Sequence, residues 1–186
     1  MGLTLRRGGR DKDAFTEFVR ARSAVLRGTA YLLVGRRSLA DDLVQEALVA
    51  TYVAWPRLRD PRNAEAYARR VMATTVVSWS RRRSWHEQPT DEVPERVGGS
   101  AVDTLAERDA MWAAVQALPA RQRAALVLRY YEDLTVAQTA AALDCAPGTV
   151  KSQVSAALAN LRDHLGEEHP LLVDELGRRA GQAGVR

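Results

Sequence analysis

Apolar positions recur along this chain at spacings of three to four residues, and period-two alternation of β-branched residues is almost absent. That pattern predicts an all-α protein. In a first helix Phe15, Phe18, Arg22, Val25, Leu26, Thr29, Ala30 and Leu33 share one mostly apolar face, and Gly35 is placed to end it. A second helix is expected to open at Ser38, with Asp41 closing a capping box and Asp42 adding charge that suits an amino end. Leu39, Leu43, Val44, Ala47, Leu48, Thr51 and Tyr52 make its predicted buried stripe, and Pro56 stops it just beyond Trp55. The polar stretch from Arg57 to Arg62 then precedes a third helix, capped by Asn63 and running to about Trp85. Tyr67, Val71, Thr74, Thr75 and Ser78 lie near one face of it, with Arg69, Arg70, Trp79, Arg81, Arg82 and Arg83 around the remainder.

The periodicity lapses between Glu87 and Asp103, where proline and a Gly-Gly-Ser run read as a flexible acidic linker. Beyond it, the stretch from Asp133 to Arg162 has the spacings of a helix-turn-helix. Thr135 and Gln138 form a capping box, and Val136, Thr139, Ala140 and Leu143 give the first helix one buried face. Asp144 stands where the turn needs a left-handed residue, and Pro147 suits the first position of the second helix. Val150, Val154, Ala157, Leu158 and Leu161 form the inner side of that helix. Pro147, Gly148, Thr149, Lys151, Ser152 and Ser155 are left as a small, polar opening turn and outer face. Such a surface can enter a major groove and let backbone approach phosphate. Two helices packed only for stability would show part of the same pattern, which Ala140 at the crossing and the slim Gly148 make less apt.

Composition adds constraints rather than a site. The net charge of +4 is modest, and only Lys12 and Lys151 of the 27 basic residues are lysine. Arginine is concentrated at the end of the third helix, where rings interleaved with guanidinium groups suit opened nucleic acid, bases stacking on the rings and phosphates meeting the cations; a solvated helix end whose arginines favour the macrodipole, and Tyr67 and Trp79 as ordinary core aromatics, remain the alternatives. One cysteine excludes an internal disulfide, and three scattered histidines suggest no metal site. No cofactor is expected, and no triad or phosphate loop argues for an enzyme. No apolar run follows Arg6, Arg7 and Arg10, and none approaches the length of a membrane span. The expected setting is the cytoplasm, without membrane insertion.

Together these parts resemble a bacterial sigma factor of the sigma-70 class, specifically the small extracytoplasmic-function type and its sigma-E-like subgroup. DDLVQEALVATYVAW, from Asp41 to Trp55, looks like region 2.2. AEAYARRVMATTVVSWSRRRSW, from Ala64 to Trp85, looks like regions 2.3 and 2.4, and ALPARQRAALVLRYYEDLTVAQTAAAL followed by PGTVKS looks like region 4. The resemblance implies two small helical domains. Region 2 would occupy residues 11–86, a linker 87–103, region 4 residues 104–165, and a tail with room for one short helix 166–186.

By the same resemblance, Asp41, Asp42, Gln45 and Glu46 would bind the beta-prime clamp helices of core RNA polymerase, with region 4 meeting the beta flap. Arg57, Arg59, Arg62, Asn63, Tyr67, Arg69, Arg70, Trp79, Arg81, Arg82 and Arg83 would act on the −10 element of promoter DNA. The recognition helix would read the −35 element. An anti-sigma factor is a further implied partner. The chain departs from the family at Thr74 and Ser78, where Asn and Asp are usual, and at Gln153, Ala156, Leu158 and Asn160, where cations are frequent. Ala146 stands in place of a serine cap, a loss of about 1 kcal/mol at that helix end. The rival reading is an operator-binding regulator that acts without polymerase; a helical adaptor that binds protein alone leaves the basic aromatic helix unexplained.

Overall fold

The computed structural model describes residues 3–58, 61–82 and 102–166, with side chains over 12–58, 63–81 and 109–166. Among the described residues every regular element is helical. The order is α1 (Leu3–Val34), α2 (Arg37–Ala54), α3 (Pro61–Arg82), α4 (Val102–Ala117), α5 (Ala120–Leu126), α6 (Val136–Leu143) and α7 (Pro147–Leu165). A 3-10 turn, Trp55–Arg57, follows α2, and α5 widens into a π-helical segment, Val127–Tyr131. The linker and the tail expected from the sequence lie outside the described residues, apart from the start of α4 and Gly166, which caps the end of α7.

Helices α1, α2 and α3 pack around Phe18, Leu26, Leu33, Leu43, Val44, Ala47, Ala68 and Met72. At the rim, Phe15 meets Trp55 edge-on at 5.1 Å and Tyr52 at 4.9 Å. Gly35 ends α1 with φ of 75°, a left-handed turn that a β-carbon would strain. The carboxy-terminal helices build a second cluster from Ala114, Leu118, Leu126, Ala157 and Leu161. Burial lifts the Tyr130 phenol at its edge above the ordinary value, while Arg129 and Arg162 pull it down.

Several boundaries differ from expectation for local reasons. Helix α2 starts at Arg37 behind an extended Arg36, and no side chain caps it, so the Ser38 capping box does not form. Helix α3 starts at Pro61 rather than after an Asn63 cap; proline is pre-set for a first turn. Its buried side is also shifted. Ala64, Ala68, Met72 and Val76 face the first bundle, while Ala73 is buried against Leu128 and Ala142. Helix α3 is therefore sandwiched between the two halves, which no single amphipathic stripe could encode.

The halves meet in a continuous core. Ala124 and Val127 join the amino-terminal cluster, and Tyr31 stacks on Trp112 at 4.6 Å and 14°. Arg123 donates from Nε to the Leu33 carbonyl at 2.8 Å and from Nη1 to the Gln116 carbonyl at 2.6 Å. Gln116 Nε2 donates to the Leu32 carbonyl at 3.0 Å. These bonds satisfy carbonyls that the ends of α1 and α4 leave without intrahelical partners.

Candidate nucleic-acid interface

Helices α6 and α7 form the predicted helix-turn-helix. Thr135 is extended, its hydroxyl accepts from the Gln138 amide at 3.2 Å, and the Gln138 side chain accepts from the Thr135 amide at 2.8 Å. Asp144 is left-handed at φ 52° and ends α6. Pro147 begins α7, and Ala146 before it offers no side-chain cap. Val150, Ala157 and Leu161 are buried, whereas Pro147, Gly148, Lys151, Ser152 and Ser155 are exposed. Thr149 is half-buried and differs from the others: it turns toward α3.

That inward turn is part of a cavity of about 220 Å³ lined by Thr74, Ser78 and Arg81 of α3 and by Asp144, Thr149 and Gln153 of the helix-turn-helix. Two helices assigned by sequence to different DNA elements thus share one cleft. Thr74 returns its hydroxyl to the carbonyls of Arg70 and Val71, at 2.9 and 3.0 Å. Two of the cation positions are accounted for by packing: Ala156 is half-buried, and Asn160 donates to Gln122 of α5 at 2.8 Å.

The arginines of α3 do not act as one patch. Arg81 is exposed near the end of the helix, and Arg70 is exposed with Asp144 at 3.9 Å. Arg69 is pinned: Nη2 meets Glu65 Oε1 at 2.6 Å and Nε meets Glu132 Oε2 at 2.6 Å. The Nε contact is not aligned as a hydrogen bond, so charge holds it. Tyr67 and Trp79 are half-buried, and Arg57 and Asn63 are exposed. The side chains of Arg59, Arg62, Arg82 and Arg83 lie outside the described residues.

On α2, Asp41, Asp42, Gln45 and Glu46 are all exposed, and Glu46 accepts from the buried Thr75 hydroxyl at 3.2 Å. The same side continues into Val49, 65% exposed, and Val53, 75% exposed. Sequence reasoning missed these two because it took the helix's polar residues as the outer set. The signal was present: positions 42, 45, 46, 49 and 53 fall on one helical stripe. Tyr52, placed in the buried stripe by the sequence, is 49% exposed and leans on Phe15. Val25 is likewise open, and Arg22 reaches from α1 to Glu65 at 3.3 Å.

Comparison with known proteins places this geometry. Residues 18–86 match the family model for sigma-70 region 2, and residues 108–161 match that for sigma-70 region 4. The chain is 41% identical over 151 residues to an RNA polymerase sigma-E factor of Streptomyces coelicolor, covering 81% of this chain and 85% of that relative. It is 35% identical to the extracytoplasmic-function sigma factor ShbA of Streptomyces griseus over 136 residues, covering 68% and 71%. Among solved structures, the sigma factor RpoE of Bartonella quintana, crystallised with the anti-sigma factor NepR, superimposes with a TM-score of 0.66 over 83% of this chain and 98% of that one. The identity with it is 23%, a likeness of fold.

Proposed function

This chain belongs to the sigma-70 family, in its extracytoplasmic-function branch, and from that premise we propose how its surfaces divide the work of a transcription initiation factor. It binds core RNA polymerase and directs it to promoters. Region 2 comprises residues 11–86 and region 4 residues 104–165, with 87–103 as the tether between them. The exposed stripe of Asp42, Gln45, Glu46, Val49 and Val53 docks on the clamp helices, with Asp41 at its edge. Such a combination of acids around bare valines suits a protein groove more than DNA, since carboxylates repel phosphate.

Promoter DNA is held by two other surfaces. Lys151, Ser152 and Ser155, presented early on α7 beyond Pro147 and Gly148, read the −35 element. Arg57, Arg59, Arg62 and Asn63 hold a base extruded from the −10 element, while Tyr67 and Trp79 offer stacking surfaces and Arg69, Arg70 and Arg81 to Arg83 meet phosphates. Extrusion costs a few kcal/mol, which stacking at about 1–3 kcal/mol per base offsets. The protein itself catalyses no reaction, works in the cytoplasm, and is a candidate for restraint by an anti-sigma factor.

The carrying observation is the exposed opening turn of α7, set by the Thr135 capping box and the left-handed Asp144. Run-off transcription with purified core polymerase and genomic promoter fragments tests the reading. Defined transcripts that require this protein are expected. Tight sequence-specific duplex binding without polymerase, and no transcript, would instead establish the operator-binding regulator.

A further inference from the structure

The cavity between α3 and the helix-turn-helix holds more polar chemistry than the packing of two helices needs. Ser78 of α3 and Thr149 and Gln153 of α7 line it half-buried, and none of their side chains has a hydrogen-bond partner among the described residues. Hydroxyls and amides withdrawn from bulk water are ordinarily paired, so three that share one space are donors available to whatever enters it.

Charge narrows what that is. Arg81 near the end of α3 and Arg121 at the start of α5 stand on the cavity wall, one guanidinium from each half of the chain. The carboxylate on the wall, Asp144, is 84% exposed and lies 3.9 Å from Arg70, so part of its charge is answered outside the cavity. Guanidinium groups flanked by hydroxyl and amide donors match a phosphate, whose oxygens accept from several donors at once. Val77, Leu143 and Cys145 complete the wall with apolar surface. At about 220 Å³ the space is smaller than the roughly 300–1,000 Å³ of sites for drug-sized ligands, so its occupant is small.

We propose that this cavity is a binding site for a small phosphomonoester. Arg81 and Arg121 hold the phosphate, Ser78, Thr149 and Gln153 donate to its remaining oxygens, and Val77, Leu143 and Cys145 receive the apolar body. The site goes beyond the promoter and polymerase surfaces described above, sharing only Arg81 and Thr149 with the helices assigned to DNA. Because its donors come from α3, α5 and α7, an occupant ties three helices together and raises the melting midpoint as its concentration rises.

The test uses the full chain and the thiol of Cys145, its single cysteine, which is half-buried on the cavity wall. Alkylation by iodoacetamide is followed while phenyl phosphate, benzoate or a mixed-sequence DNA duplex is added. Phenyl phosphate should slow alkylation in a saturable way, over the same concentrations that raise the melting midpoint. Benzoate, with fewer acceptor oxygens, should need about tenfold more. Arg121→Gln, at an exposed position, should weaken phenyl phosphate by about tenfold, and Ser78→Ala by about fivefold. Arg20→Gln, at an exposed arginine of α1 outside the cavity, should change nothing. Helicity measured alongside identifies a variant that fails to fold. Absence of saturable protection by phenyl phosphate overturns the site, as does protection that both folded cavity variants leave unchanged. Benzoate protecting as well as phenyl phosphate overturns the phosphate class. Protection by duplex alone assigns the cavity to nucleic-acid phosphate and overturns the small-molecule site.

Discussion

Helices α2 and α3 lie side by side in the same bundle, yet α2 keeps its outer side open while α3 is covered by region 4. On α2 the acids and the two valines are exposed along one stripe; on α3 Ala73 is buried, Arg69 is tied to two carboxylates, and Thr74 and Ser78 face the helix-turn-helix. The surface proposed for polymerase is thus open along α2, whereas the proposed −10 side of α3 is partly covered by region 4 and the opening turn of α7 stays exposed. The two surfaces should respond differently to substitution.

The largest contrast lies within α2 itself. Leu43 is fully buried, and Leu43→Ala should cost about 2–5 kcal/mol in denaturant unfolding. Val53→Ala, at a position 75% exposed, should leave stability within about 0.5 kcal/mol yet weaken polymerase binding. Equal loss of stability in both would mean that the stripe is structural. On α3, Arg81→Gln removes an exposed cation at the end of the helix and should cost about 1.5–3 kcal/mol in promoter opening, about tenfold or more in rate. Loading onto polymerase should persist and a pre-melted bubble template should restore transcription; failure on both templates would remove the melting role.

Smaller effects sharpen the same comparison. Asp42→Ala with Gln45→Ala should lower affinity for core polymerase by about 1–2 kcal/mol in a pull-down titration, with helicity intact. Unchanged affinity would move the docking surface off α2. The smallest change is a gain. Ala146 is extended before Pro147 and caps nothing, so Ala146→Ser should stabilise the protein by about 1 kcal/mol, read as a higher melting midpoint, without altering polymerase affinity.

Local chemistry along the chain was enough to specify the helix-turn-helix. Thr135 and Gln138 close a box within one turn, Asp144 tolerates the left-handed region, and Pro147 is pre-set for a helix start; each depends on neighbours a few residues away. The stripe of Leu43, Val44, Ala47 and Thr51 was legible for the same reason, because one face meets one core. Arginine interleaved with aromatics marked α3 as a candidate surface, but its burial could not be read from that pattern. Ala73 and Ala142 are ambiguous in sequence, since alanine fits a core or a surface equally well, and only the approach of region 4 buries both. Glu132 reads as an ordinary surface acid after Tyr131. The tertiary structure alone brings it to Arg69 and Thr29, because charge pairing between residues so far apart depends on where the two halves meet and not on any local spacing.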